Sequence, residues 1–209
     1  MTERKVRKTG RGEILEVARE LVLAHGASGL TMRRLGDALG VSAPAVYRHY
    51  RDKQELLEGL VDEGNAILAR YLAEACAEPL PPARLERIAA QYARFAVEQP
   101  AFYGILFLSA DRPKMDVLPR QRTSRNFDVL VDCVREGVEG GWLRPADPVL
   151  VAISLWAQWH GLVAMFRAGR FGPGADGFLE MFGGSTRLVL GAMAPAGSPP
   201  SAGRGGAKP

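Results

Sequence analysis

The sequence has little cysteine, since only Cys76 and Cys133 occur among its 209 residues. The two lie far apart, and neither belongs to a CxxC pair or a histidine-rich stretch, which argues against a disulfide framework and a zinc site. We expect both thiols to be small buried groups in a reducing cytosol. The stretch MTERKVRKTGRGE is basic and lacks the apolar segment of a signal peptide, which predicts a cytoplasmic protein.

The sequence also lacks the patterns that mark enzyme active sites. It contains no paired carboxylates, nucleophile elbow, glycine-rich phosphate loop or metal-ligand spacing. The residues available for catalysis would be His160, Cys76 and Cys133, and nothing near them in the sequence supports that role. We therefore predict that the protein is not an enzyme and that it needs no cofactor and no metal.

Strand-like alternation of apolar and polar residues is almost absent, whereas apolar residues recur at helical spacing. The prediction is an all-α fold of about nine helices. Asp52 and Glu55 resemble a capping box at the start of a long helix that ends before Pro79. The other helices are expected near 12–24, between Thr31 and Gly40, from Ser42 or Ala43 to about Tyr50, and near 83–98, 101–109, 120–139, 147–168 and 175–193.

One run, PVLVAISLWAQWHGLVAMF at residues 148–166, carries no formal charge. Its length is close to the roughly 20 residues that span a bilayer, so a membrane helix is one interpretation. Ser154, Gln158 and His160 at its centre argue against that interpretation, because unpaired polar groups are costly in lipid. No positively charged loop or aromatic girdle frames the run. We predict a helix buried on nearly all sides, within a core or an interface.

Positive charge is unevenly distributed along the chain. Residues 1–53 carry 11 Lys and Arg against 6 Asp and Glu, whereas the remainder carries 16 against 17. This asymmetry predicts that a polyanion binds the first quarter of the chain. Two short helices joined at Gly40, followed by aromatic and basic residues, fit a helix-turn-helix whose second helix enters the major groove of DNA. Singly, Tyr47 and Tyr50 could be core residues, but the clustering favours DNA binding.

The run GLTMRRLGDALGVSAPAVYRHYRDKQELL, residues 29–57, closely resembles the DNA-binding domain of the TetR family of ligand-responsive transcriptional regulators. The resemblance extends over about residues 11–60. It implies that some side chains contact phosphates, namely Thr31, Tyr47, His49 and Lys53. It implies that others face the bases, namely Arg33, Ala43, Pro44 and Arg48. Ser42, at the start of the reading helix, completes the predicted DNA-binding set.

Two positions in this region need a physical account. Gly36 stands where the family usually has Ala, which should cost about 1 kcal/mol of helix propensity unless glycine permits closer helix packing. Pro44 falls in the first turn of its helix, where a missing N–H has no intrahelical partner. Ala43, Pro44 and Ala45 should let the helix approach the thymine methyl groups closely. Polar base reading is then expected from Arg33 and Arg48.

The run SLWAQWHGLVAMF, residues 154–166, resembles the Trp/His/Gly signature of the WHG-motif subgroup of the family, and residues 92–107 are also similar to it. The resemblance implies a C-terminal domain that binds a small molecule and forms the dimer. We predict a pocket for a hydrophobic or aromatic ligand, lined by Phe95, Phe102, Tyr103, Phe107, Met115, Phe127, Trp156, Trp159, His160 and Met165. The alternative is that these aromatic residues form a core and that His160 is structural.

These expectations define a domain organisation and a function. Residues 1–53 form a helix-turn-helix domain with a basic arm, residues 54–193 a helical ligand-binding and dimerisation domain, and residues 194–209 a disordered tail. The last two helices should pack against a second copy, so that the homodimer reads a pseudo-palindromic operator in double-stranded DNA. The predicted function is a repressor released by a small hydrophobic molecule. The alternative is a DNA-binding or architectural protein without a ligand.

Overall fold

The computed structural model describes residues 10–108, 125–172 and 174–195. Within these ranges the chain forms nine α-helices and no strand, which confirms the all-α prediction. The helices are α1 Arg11–Gly29, α2 Met32–Leu39, α3 Ala43–Tyr47, α4 Lys53–Cys76, α5 Pro81–Glu98, α6 Pro100–Tyr103, α7 Arg125–Glu139, α8 Pro148–Arg167 and α9 Ala175–Met193. A π-helical turn, Gly104–Leu108, follows α6. Met115 and residues 196–209 of the predicted tail lie outside the described residues.

Local signals set several helix ends. The hydroxyl of Thr31 accepts a hydrogen bond from Arg34 N at 3.1 Å, which caps the start of α2. Gly40 ends α2 with a φ of 68°, a left-handed conformation that favours glycine. The carboxylate of Asp147 accepts a hydrogen bond from Val149 N at 2.8 Å and caps α8. In α1 a φ of 70° at Gly26 interrupts the helical dihedrals as predicted, although the helix resumes and continues to Gly29.

The third helix is shorter than the predicted one, because α3 ends at Tyr47 rather than near Tyr50. His49 N and Tyr50 N both donate to Val46 O, at 2.9 and 3.1 Å, so one carbonyl accepts two bonds in a tightened last turn as the chain leaves α3. This turn carries the Tyr50 side chain into the core, where it is 1% exposed. The Tyr50 ring is therefore held in the core just after the end of α3.

The prediction that both cysteines are buried is half correct. Cys133 is buried in α7, and its burial raises the pKa of the thiol to about 12. Cys76 is exposed and is the last residue of α4. A thiol with so high a pKa is a poor nucleophile at neutral pH, so Cys133 behaves as a small apolar core residue.

The described residues divide into two compact units. The first, called the head unit here, contains residues 10–70 and 95–108, and the second, the regulatory unit, contains residues 71–94, 125–172 and 174–195. In the head unit Ile14, Leu35 and Tyr50 are at most 1% exposed and form the centre of its core. In the regulatory unit the core is aromatic, with Trp159 and Phe182 each 1% exposed. The predicted functional boundary between residues 53 and 54 stays a prediction.

Helix α8 is long and apolar enough to cross a membrane by its length and composition, with a mean hydropathy of 1.6. In the structure one stripe of it is buried, formed by Ala152, Leu155, Trp159 and Val163. The single chain buries only 22% of the apolar window, so the predicted burial on nearly all sides would need an interface with a second chain and stays a prediction. Leu150 and Met165 remain exposed, because the regulatory unit covers only one face of the helix.

Candidate DNA-binding site and regulatory region

The corner between α2 and α3 is closed by backbone contacts that come close to Gly36. Val41 N donates to Gly36 O at 2.9 Å, so the chain folds back directly onto α2. A Cβ atom placed on Gly36 would lie 3.0 Å from Val41 O and 3.2 Å from Ala43 N. The loss of helix propensity at Gly36 is therefore offset by a closer approach of the α3 start to α2.

Helix α3 presents a small, exposed leading edge. Ser42 is its N-cap residue and Pro44 lies in its first turn, where the ring fits because no intrahelical N–H is lost. Val46 is 0% exposed and anchors the helix in the head unit, whereas the next residue, Tyr47, is 51% exposed. The helix therefore holds one face in the core and leaves the face predicted to read DNA open to solvent.

The predicted DNA-binding residues lie at or near the surface of the head unit. Six are exposed, namely Thr31, Arg33, Ser42, Pro44, Tyr47 and Arg48, and three are half-buried, namely Ala43, His49 and Lys53. Among the described residues, the side chains of Arg33 and Arg48 form no hydrogen bond or ion pair within the chain. Arg33 also lines a shallow hollow of about 370 Å³ with Thr31 and Asp37. These guanidinium groups are available to an external partner.

Arg11 holds α1 against the end of the reading region. Its guanidinium donates to His49 O at 2.7 Å and to Glu55 Oε1 at 3.1 Å, and it lies 4.1 Å from the centre of the Tyr50 ring. Tyr50 returns a hydrogen bond from its hydroxyl to Arg11 O at 3.2 Å. These contacts join residues about 40 positions apart in the sequence. Together they hold the segment after α3 in place against α1.

Glu55 joins this network from the first turn of α4. Its Oε2 accepts hydrogen bonds from Arg51 N at 2.8 Å and Arg51 Nε at 3.3 Å. The backbone hydrogen bond from Arg51, followed by the side-chain hydrogen bond from Arg11, lowers the pKa of Glu55. Asp52 Oδ1 accepts from Glu55 N at 2.8 Å, so the cap at Asp52 forms as predicted. The return bond differs from a standard capping box because Glu55 accepts from Arg51 rather than from Asp52.

The residues of the predicted ligand pocket are divided between the two units. In the head unit Phe95, Phe102 and Tyr103 are at most 2% exposed, and Phe107 is half-buried. In the regulatory unit Trp159 is 1% exposed, Phe127, Trp156 and His160 are half-buried, and Met165 is 47% exposed. Their role in ligand binding stays a prediction.

His160 is surrounded by aromatic side chains of the regulatory unit. Its ring centre lies 5.6 Å from that of Trp156, and its Nδ1 lies 3.5 Å from the hydroxyl of Tyr92. Trp156 in turn contacts Phe127 edge to face, with ring centres 6.2 Å apart. Burial lowers the pKa of His160, which favours the neutral imidazole. These contacts fit either a satisfied core histidine or the wall of an apolar site.

A cleft of about 530 Å³ lies elsewhere in the regulatory unit. It is lined by the first half of α5 and the turn before it, by Trp142 in the connection between α7 and α8, and by α9. None of the residues predicted for the ligand pocket lines this cleft. Sequence reasoning missed it because its walls come from segments about 50 residues apart, with no local pattern that joins them.

Two family models match the chain. The model of bacterial regulatory proteins of the tetR family matches residues 14–60, which contain the helix-turn-helix described above. The model of the tetracyclin repressor-like C-terminal domain matches residues 85–182. The chain belongs to the TetR family of transcriptional regulators. The assignment to the WHG-motif subgroup stays a prediction.

Related TetR-family proteins support this membership. The HTH-type transcriptional repressor KstR2 of Mycobacterium tuberculosis is 27% identical over 147 residues, which cover 65% of this chain and 70% of KstR2. The HTH-type transcriptional repressor AcnR of Corynebacterium diphtheriae is 42% identical over 64 residues, which cover 31% of this chain and 34% of AcnR.

Solved structures of TetR-family regulators share the fold. The structure of the ketosteroid transcriptional regulator KstR2 of Mycobacterium tuberculosis has a TM-score of 0.69 and 21% identity, covering 90% of this chain and 97% of KstR2. AibR, solved in complex with isovaleryl coenzyme A and operator DNA, has a TM-score of 0.64 and 19% identity, covering 84% of this chain and 96% of AibR. At such identities the likeness shows that the fold is shared.

Proposed function

We propose that this TetR-family chain is a repressor that binds a pseudo-palindromic operator as a homodimer and is released by a small hydrophobic molecule. The observation that carries the proposal is the exposed face of the α2–α3 corner. There Arg33 and Arg48 have no partner within the described chain, and Tyr47 is 51% exposed. A planar guanidinium can pair with both acceptors of a guanine edge, and the apolar ring of Pro44 suits a thymine methyl group.

The dimer is proposed through α8 and α9. Leu150 and Met165 of α8 and Leu188 of α9 are 63%, 47% and 76% exposed, and together they make an apolar surface on these two helices. Gly161 of α8 has open space around the position of a Cβ atom, so nothing among the described residues requires a glycine there. A close approach by a second copy would explain both features and would cover the uncharged surface of α8.

The proposed release mechanism is a difference in affinity. If the ligand binds better to one arrangement of the two reading helices and the operator binds better to another, each reduces the affinity for the other by the same factor. The AibR structure contains both an acyl coenzyme A and operator DNA, and KstR2 is named a ketosteroid regulator. These neighbours support a small-molecule ligand with an apolar part for this chain.

DNA binding is tested first by selecting bound duplexes from a random pool with the full-length protein. The affinity for a selected duplex is then measured by fluorescence anisotropy at several salt concentrations. We expect log K to fall linearly with log salt, since phosphate contacts release counterions, and we expect the selected sites to be pseudo-palindromic. Absent or salt-insensitive binding would refute the proposal.

A DNA-binding protein without a ligand is the second candidate function. The observation that favours it is the dense packing of the predicted pocket residues, because Phe95, Tyr103 and Trp159 are at most 1% exposed. Thermal denaturation of the full chain with a panel of fatty acids, acyl coenzyme A thioesters and steroids separates the two candidates. A rise in Tm together with release from the selected duplex supports the liganded repressor, whereas no change with any compound supports the second candidate.

A further inference from the structure

The cleft of the regulatory unit has the size of a small-molecule site. Its volume of about 530 Å³ falls within the roughly 300–1,000 Å³ that is typical of ligand pockets. It is open to solvent on one side and has an apolar edge formed by Leu80 and Trp142, which are 55% and 50% exposed. Exposed large apolar side chains beside a concave surface indicate a place where an apolar group could be covered.

Thr186 gives the cleft an unsatisfied polar group. The residue lies on α9, lines the cleft and is 1% exposed, and its hydroxyl has no hydrogen-bond partner among the described residues. A buried hydroxyl without a partner is unfavourable, and native proteins rarely retain one without a reason. The hydroxyl oxygen is buried beneath the surface of the cleft, so a bound molecule becomes its partner only when the Thr186 side chain rotates to turn the hydroxyl toward it.

The charged groups of the cleft favour an anion. Arg87 and Arg187 line it together with Glu86, which leaves one positive charge. Arg87 is partly neutralised because its Nε lies 3.8 Å from Glu78 Oε2. Arg187 is exposed, and its side chain forms no hydrogen bond or ion pair with any described residue. Arg187 is therefore the cation in the cleft that is available to a carboxylate, sulfonate or phosphate monoester.

Trp142 is held rigidly although half of it is exposed. Its backbone N donates to Gly137 O at 2.8 Å, and Gly141 beside it has a φ of 73° that turns the chain. A Cβ atom on Gly140 would lie 2.9 Å from Cδ1 of the indole, so the ring packs directly on that glycine. A fixed and exposed indole provides a surface on which an aromatic or aliphatic group can pack at little entropic cost.

We propose that this cleft binds a small amphipathic molecule with a single negative charge. The apolar body packs against Trp142 and Leu80, while the anionic group accepts hydrogen bonds from the Arg187 guanidinium and the Thr186 hydroxyl. The site goes beyond the proposed function, because it shares no residue with the pocket predicted around Trp159 and His160 and its occupation can be measured without DNA.

The test uses two fluorescent probes that share an aromatic skeleton and differ in charge. The first, 8-anilinonaphthalene-1-sulfonate, is an anion, and the second, N-phenyl-1-naphthylamine, is neutral. Both are titrated into the full-length protein and into Arg187→Gln, Thr186→Val and Arg170→Gln, the last being an exposed arginine outside the cleft. We expect Arg187→Gln to weaken binding of the anion about tenfold and Thr186→Val to weaken it about threefold. The neutral probe should bind all three variants and the parent alike.

Three outcomes would overturn the proposal. The first is an affinity for the anionic probe that is the same in Arg187→Gln, Thr186→Val and the parent. The second is an equal loss of both probes in Arg187→Gln, since that result would exclude an anion-specific contact. The third is a change in dimer dissociation in Arg187→Gln with no anion binding in the parent, which would mean that a second copy covers the cleft. Trp142→Ala, which leaves the charges in place, should weaken both probes and thereby locate the apolar part.

Discussion

The head unit and the regulatory unit differ in whether their buried polar atoms have hydrogen-bond partners. In the described part of the head unit, Arg11, Thr31, Tyr50 and Glu55 all form hydrogen bonds, and no buried side-chain N or O atom lacks a partner. In the regulatory unit three buried atoms lack partners among the described residues, namely Gln158 Oε1, Trp159 Nε1 and Thr186 Oγ1. All three belong to α8 or α9. The regulatory unit therefore has buried donors and acceptors that can still form a hydrogen bond. In the described part of the head unit, the corresponding groups already have partners within the chain.

This difference corresponds to two ways of recognising a partner. A DNA-reading surface must hold its side chains in one arrangement, and the contacts of Arg11 and Gly36 fix the chain on both sides of α3. A ligand site gains affinity when it leaves donors and acceptors to be satisfied only by the bound molecule. Four predictions sharpen or break this comparison.

The largest effect is expected on DNA binding. Arg33→Ala and Arg48→Ala should each cost about 1–3 kcal/mol for a selected duplex and relax the preference at one or two base pairs. Tyr47→Ala and Lys53→Ala should instead weaken binding to all sequences alike, since these residues are proposed to contact phosphates. Competition between selected and scrambled duplexes measures both quantities. Unchanged base preference in the Arg33 and Arg48 variants would contradict the base-reading role.

Arg11→Ala tests whether the head unit depends on its polar contacts. The change removes hydrogen bonds to His49 O and Glu55 and the contact with the Tyr50 ring, so we expect the free energy of unfolding to fall by about 2 kcal/mol. Urea denaturation followed by circular dichroism measures this loss. Arg33→Ala is the matched control, because Arg33 is exposed and should affect DNA binding but leave stability unchanged. Equal stability of the two variants would show that the Arg11 contacts contribute nothing.

Thr186→Val tests the regulatory unit, where we expect removal of a polar group to raise stability rather than lower it. It replaces an unpartnered buried hydroxyl by a methyl group of similar shape, so we expect the free energy of unfolding to rise by about 1 kcal/mol. Thr186→Ser keeps the hydroxyl and removes a methyl group, and it should lower stability instead. Thermal denaturation of both variants measures these changes relative to the parent. A stability loss in Thr186→Val would mean that the hydroxyl has a partner in solution.

The smallest effect concerns the acid stability of the head unit. The pKa of Glu55 is lowered in the folded chain, chiefly by the hydrogen bond from Arg51 N and then by Arg11. The ionised carboxylate of Glu55 therefore stabilises the fold fully when the pH is above 4.5, its ordinary pKa in the unfolded chain. This stabilisation is lost as the pH falls from 4.5 through the lowered pKa of the folded chain. Glu55→Gln should make the free energy of unfolding depend less on pH in this acidic range. Glu58→Gln, one turn along α4, should leave the profile of the parent intact.

Much of the head unit could be predicted because its signals are local. The cap at Thr31, the glycine at Gly40 and the cap at Asp52 lie within a few residues of the helix ends that they define. The end of α3 at Tyr47 differs from the predicted end near Tyr50 because no local signal such as a glycine or proline marks it. The exposure of Cys76 was missed for a similar reason, since composition predicts a cysteine's preference and not its neighbours.

The sequence by itself determined the helical class, the helix-turn-helix and the family, because periodicity, caps and a short motif are encoded in neighbouring residues. Only the tertiary structure decided that Arg11 reaches His49 and Glu55, and that Trp142, Thr186 and Arg187 line one cleft. About 40 residues separate Arg11 from His49 and Glu55, and about 40 separate Trp142 from Thr186 and Arg187. Their meeting depends on how whole helices pack, and no short stretch of sequence carries that information.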